Sequence, residues 1–142
     1  MLKGIPDIIS SDLMKCMMDM GHGDVLVLTD ANFPAVSHAK HYIKAEGVEI
    51  TDLLDAILTF LPVDDFVETS YCLMNYRDSE TRPEIWDEFE KIIVKHNGEE
   101  ELQRIGYIDR LDYYTVAEKA YVVVQTATLA RYANITVQKG VI

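Results

Sequence analysis

The segment Met20-Gly21-His22-Gly23-Asp24, running into Val25-Leu26-Val27-Leu28-Thr29-Asp30, constrains this chain more than any other stretch. Four consecutive apolar residues, 25–28, suit a strand covered on both faces, as strands of parallel sheets are. Upstream, Leu13, Cys16, Met17 and Met20 fall at i, i+3, i+4 and i+7, one face of a helix. Ser10 or Ser11 can cap that helix, and Gly21 is placed to end it as a C′ residue. Helix, glycine and buried strand are the opening of an open α/β domain, which displays reactive groups at strand ends. His22 stands at the entry of the strand and Asp30 at its exit. An imidazole with an ordinary pKa of about 6.5 exchanges protons at neutral pH. Flanking glycines leave its ring uncrowded and let the backbone turn sharply. These residues read equally well as a helix C-cap, a solvated loop histidine and an ordinary turn aspartate.

The remaining chain alternates strands and helices. Residues 42–43 form a short strand before the Glu46-Gly47 turn. Thr51 caps a second helix with Leu54, Ile57, Leu58 and Leu61 inward and Pro62 as its stop. A strand is expected within 67–74, then a polar surface loop over 77–82. Pro83 suits the first turn of a third helix, with Ile85, Phe89, Ile92 and His96 on one stripe and Asn97-Gly98 at its close. Strands at 105–108, 121–125 and 135–138, and a helix within 109–119, complete the pattern. Strand–helix alternation favours a layered α/β domain. The expectation is one domain spanning 1–142: a three-layer α/β/α sandwich around a mostly parallel, mixed sheet.

Composition bounds the function. A chain of 142 residues buries roughly 68–70% of its unfolded surface, enough for a core without metals or disulfides. Its net charge of −11 argues against nucleic acid, whose phosphates attract basic faces. No apolar run is long enough to span a bilayer, and the first residues lack the apolar stretch of a signal peptide. Cys16 and Cys72 share no metal-type spacing and read as free thiols, which points to the cytoplasm. No glycine-rich dinucleotide or phosphate loop is present. His38 and His41, three apart, would need a third ligand to hold a metal, and none is evident. His96 reads as a helix-end residue meeting the dipole.

Four pieces in order then point further: Met-Gly-His-Gly-Asp leading to Asp30-Ala31-Asn32-Phe33-Pro34; Arg110-Leu111-Asp112-Tyr113-Tyr114; Tyr132-Ala133-Asn134-Ile135; and Gln138-Lys139-Gly140-Val141. Together with Leu2-Lys3-Gly4-Ile5-Pro6 and Glu118-Lys119-Ala120-Tyr121, this order resembles the L-fucose mutarotase family, which shares a fold with D-ribose pyranase. The resemblance covers essentially the whole chain. It implies that His22 is a catalytic proton donor, Asp30 a sugar-binding carboxylate and Arg110 a substrate-binding residue, where pyranase-type members usually carry His. It also implies that Tyr132, Ala133 and Asn134 form a C-terminal sugar-binding segment. Ala133 stands where fucose-type members usually have Gly. Thr115 replaces a common Glu, and Thr126-Ala127-Thr128 a common Thr-Gly-Glu. The resemblance implies ring-shaped oligomers, a pentamer or decamer, with sites at subunit boundaries.

The chemistry suits these residue types. Changing an anomer opens a cyclic hemiacetal and recloses it on the other face. One group takes the anomeric hydroxyl proton while another protonates the ring oxygen. No redox step occurs, so the reaction calls for neither nicotinamide nor metal. His22 carries protons, with Tyr132 or Asp30 sharing the work. Asp30 accepts from sugar hydroxyls, Asn134 both donates and accepts, and Arg110 offers a fixed fork of donors. Phe33 or Tyr114 can cover the apolar side of a sugar. Alternatives are a D-ribose pyranase, a mutarotase for a related monosaccharide, or a non-catalytic sugar-binding protein. Because His22 precedes the strand and Asp30 follows it, they can lie more than about 20 Å apart in one subunit. Either the loops fold back or two subunits build the site.

Overall fold

A computed structural model describes residues 2–142. Strands β1 (Val25–Thr29), β2 (Tyr42–Lys44), β3 (Tyr71–Met74), β4 (Ile105–Ile108), β5 (Val122–Gln125) and β6 (Ile135–Gln138) form one sheet in the spatial order β2-β5-β1-β6-β3-β4. Five of them run the same way, through the parallel pairs β1–β5, β2–β5 and β3–β4. β6 runs against both of its neighbours, β1 and β3. The mixed, mostly parallel sheet read from the sequence is therefore present.

Alternation along β1 splits the core in two. Leu26 and Leu28 point to one face, against α1 (Ser11–Asp19), α2 (Ile50–Leu58) and α3 (Ile85–Asn97). Val27 points to the other, against Phe33, Tyr113 and Ala117, where α4 (Arg110–Lys119) packs. All three of these strand residues are fully buried, as a strand between two helical layers requires.

Ser10 caps α1, its hydroxyl accepting from the Leu13 N–H at 3.1 Å. The left-handed residue after α1 is Gly23 (φ +85°), not Gly21, because Met20 leaves the helix in extended geometry. Thr51 is not the cap of α2. The helix starts earlier, behind Glu49, and the Thr128 hydroxyl accepts from the Ile50 N–H at 2.8 Å. The same hydroxyl donates to the Glu49 carboxylate at 2.6 Å. A residue 78 positions away thus does the work of a local cap. The strand expected within 67–74 is confined to β3, since before it Ser70 Oγ donates to the Asp64 carbonyl. Pro83 lies before α3 rather than in its first turn. The buried stripe of that helix is Trp86, Phe89 and Ile93, rotated one residue from the expected face.

Candidate functional site

β6 is what shapes the site. Because it runs backwards between β1 and β3, the segment that leads into it, 131–134, lies beside the carboxyl ends of those strands. Ligands of open α/β sheets bind at that edge. A cavity of about 410 Å³ opens there, lined among others by Asp30, Phe33, Met74, Arg110, Tyr132 and Asn134. Its size falls within the roughly 300–1,000 Å³ of small-molecule sites.

Asp30 and Asn134 form a reciprocal pair. The Asp30 backbone N–H donates to Asn134 Oδ1 at 3.1 Å, and Asn134 Nδ2 donates to Asp30 Oδ2 at 3.0 Å. Only one amide orientation satisfies both bonds. The Asn32 N–H donates to Asp30 Oδ1 at 2.8 Å. Burial pushes the Asp30 carboxyl above the usual carboxylate range, with the Asn32, Asn134 and Phe33 hydrogen bonds opposing it. Its remaining lone pairs are the acceptors available to a ligand.

Arg110 opens α4 at the exit of β4, its guanidinium 6.0 Å from the Tyr114 ring centroid. The Tyr114 ring also meets Phe33 edge-on at 5.4 Å and stacks on His38 at 4.9 Å. His38 Nδ1 lies 2.6 Å from Glu118, while His41 Nδ1 faces the Tyr121 carbonyl at 2.8 Å. The two histidines therefore serve separate partners.

Tyr132 carries a left-handed backbone (φ +58°), the one non-glycine residue with positive φ among the described residues. Such a conformation costs on the order of 1–3 kcal/mol and persists where surroundings over-determine it. Here the Trp86 indole N–H donates to the Tyr132 carbonyl at 3.1 Å, and the Tyr132 hydroxyl donates to Glu80. Ala133 is turned the other way: its side chain is fully buried in the core and is not part of the cavity wall. Tyr132, Asp30, Arg110 and Asn134 are thus brought together, and the 77–82 loop, expected only at the surface, contributes Arg77 and Glu80 to the wall.

His22 is not in this cavity. It lies at the opposite edge of the sheet, before β1, and the loops do not fold back. β1 alone separates the two ends by five residues, roughly 17 Å at 3.3 Å each. At that edge His22 Nε2 is 3.0 Å from Asp64 Oδ2. Only a donor can face a carboxylate, so the tautomer assigned here has the proton on Nε2. The Asp64 side chain is 1% exposed and His22 48%. Asp64 Oδ1 accepts from the Phe66 N–H at 3.0 Å, and Oδ2 from Gln138 Nε2 at 3.0 Å. The Phe66 N–H, then Gln138 and His22, hold the Asp64 carboxyl below the usual range, against the opposing effect of burial.

Gly140 sets this arrangement. Its N–H donates to the Pro62 carbonyl at 2.8 Å, and a Cβ there would sit 2.6 Å from the Val63 carbonyl oxygen and 2.8 Å from Asp64 backbone atoms. The 62–64 segment is thereby laid against the end of β6, with Asp64 under the imidazole. Asp64 was missed in the sequence because nothing near it resembles a motif. The close backbone approach that demands Gly140 was the available signal.

Comparisons with known proteins agree with this fold. A profile of the RbsD / FucU transport protein family matches residues 3–142. The chain is 39% identical over 142 residues to the L-fucose mutarotase of Actinobacillus pleuropneumoniae, covering 99% of this chain and 97% of that protein. It is 36% identical over 146 residues to the fucose mutarotase of Mus musculus, covering 98% and 94%. The fucose mutarotase of Streptococcus pneumoniae, solved in complex with L-fucose, superposes with a TM-score of 0.96 at 43% identity, covering 99% of each chain. Bacillus subtilis RbsD, solved with D-ribose, shares the fold at a TM-score of 0.74 and 22% identity, covering 100% and 99%.

Proposed function

The chain belongs to the RbsD / FucU transport protein family, and from that premise we propose that it is an isomerase that interconverts the α and β anomers of L-fucose. The observation that carries this reading is the cavity walled by Asp30, Asn134, Tyr132 and Arg110 in a chain this similar to a mutarotase solved with L-fucose. Acceptors on Asp30 and donors on Arg110 and Asn134 suit a ring of hydroxyls.

In the proposed mechanism His22 of one subunit serves the cavity of another. Asp64 holds the imidazole by Nε2, so Nδ1 exchanges the proton with the ring oxygen or the anomeric hydroxyl. Asp30 is the better partner for that exchange than Tyr132. Burial raises the Asp30 carboxyl above the usual carboxylate range, while the Tyr132 proton is already directed at Glu80. Self-association into a pentamer or decamer supplies the second subunit. Exposed apolar groups at the histidine end support it: Phe66, 5.9 Å from the His22 ring, is 75% exposed, and Val141 follows Gly140. The free thiols of Cys16 and Cys72 suit a cytoplasmic setting.

Saturation-transfer NMR on L-fucose tests the reading. Exchange between anomers accelerates with the wild-type protein, and His22→Ala loses about 10²–10⁴-fold of that acceleration. Exchange at the uncatalysed rate with the wild type, or full exchange with the variant, refutes it. D-ribose in the same assay separates pyranase activity.

A further inference from the structure

Glu80 sits in the polar loop between β3 and α3, and both of its carboxylate oxygens are engaged. Oε1 accepts from Arg131 Nη1 at 2.8 Å, and Oε2 from the Tyr132 hydroxyl. The Tyr132 oxygen also accepts the Arg77 backbone N–H at 3.4 Å. A phenol has one proton and two lone pairs. The proton goes to Glu80 and one lone pair to Arg77, so a single lone pair is left to a ligand in the cavity.

We propose that Glu80 is a specificity-determining positioning residue: by accepting from Tyr132 it compels that phenol to accept, never donate, toward the sugar. This rests on the reading of the cavity as a sugar site. Asp30 is likewise an acceptor when ionised, so the cavity asks for a ligand with free hydroxyl donors at two places. A sugar whose hydroxyl at the Tyr132 position is methylated or replaced by fluorine is rejected, because it brings a second acceptor to an acceptor.

Glu80 does not act as a base through Tyr132. The Tyr132 hydrogen bond, foremost, holds the Glu80 carboxyl below its usual range, with Arg131 adding to it. The same bond, with burial, raises the Tyr132 phenol. The shared proton therefore stays on the phenol.

Glu80→Gln tests the assignment. An amide accepts at one atom only, and the Arg131 fork claims it by a charge-assisted bond. The amide NH₂ then faces Tyr132 and reverses the polarity of the pair. KM for L-fucose rises about tenfold, while kcat falls less than about twofold. In a Tyr132→Phe background the same substitution changes KM by less than about twofold, since the hydroxyl it acts through is gone. An unchanged KM in Glu80→Gln, or an undiminished effect in the Tyr132→Phe background, overturns the proposal. A fall in kcat at constant KM also overturns it and makes Glu80 a proton acceptor. In all three cases wild-type exchange of L-fucose stands. Absence of wild-type exchange removes the functional reading instead.

Discussion

The two ends of the β1–β6 pair are built on opposite principles. At the exit of β1, Asp30 and Asn134 bind each other twice and wall a cavity with Tyr132 and Arg110. At the entry, a buried Asp64 holds a half-exposed His22 beside an exposed Phe66. The first end has a place for a ligand, and among the described residues no histidine lines it. The second has an imidazole, held in one tautomer. Reactive groups are usually assembled on one edge of an α/β sheet. Their separation here by the length of a strand is what the proposed mechanism bridges with a second copy of the chain.

That contrast can be broken at either end. Asp64→Asn bears on the histidine end alone. It removes the charge that fixes the His22 tautomer, and the anomer exchange rate falls roughly 10–100-fold while L-fucose affinity stays within about twofold. An equal loss of affinity, read by NMR titration, means that the two ends are not separate in function. The same variant carries a pH signature. A carboxyl depressed in the folded state adds stability above its unfolded pKa and loses it as pH falls through the folded one. The Asp64 carboxyl is depressed, so wild type exceeds Asp64→Asn in urea midpoint at neutral pH, and the gap closes below about pH 4. A gap that widens on acidification contradicts the assignment.

Gly140→Ala pushes a methyl into the Val63 and Asp64 backbone and lowers unfolding free energy by about 1–3 kcal/mol, read by urea titration. A neutral result means the 62–64 segment is not clamped by that contact. The smallest effect belongs to the core on the α4 side of the sheet. The Tyr113 hydroxyl, like the Thr29 hydroxyl, is buried and has no hydrogen-bond partner among the described residues. Tyr113→Phe removes an unsatisfied group and leaves stability unchanged or raises it by about 1 kcal/mol. A loss beyond about 1 kcal/mol in thermal unfolding shows that the hydroxyl is bonded in solution.

Much of the fold was legible because its signals are local. The apolar run of β1, the alternation of elements and the Ser10 cap each depend on neighbours in the chain. Thr128 capping α2 from 78 residues away is the opposite case, and Thr51 was the natural but wrong local choice. The site divides the same way. Asp30, Arg110, Tyr132 and Asn134 follow strand ends and helix starts, where α/β domains display chemistry, and they meet in one cavity. Ala133 has the right position in the chain, but the alternation of 132–134 turns its side chain inward. Asp64 and Glu80 act through contacts 42 and 52 residues distant, with His22 and Tyr132, and carry no spacing that marks them.

Co-expression of His22→Ala and Asp30→Ala chains, distinctly tagged and isolated as mixed oligomers, tests the shared site most directly. Each variant alone is nearly inactive. If one subunit lends its imidazole to the cavity of its neighbour, random mixing rebuilds about a quarter of the sites from two intact halves, and anomer exchange returns to that extent. Mixed oligomers that stay as inactive as the parents, while both tags co-purify, contradict it.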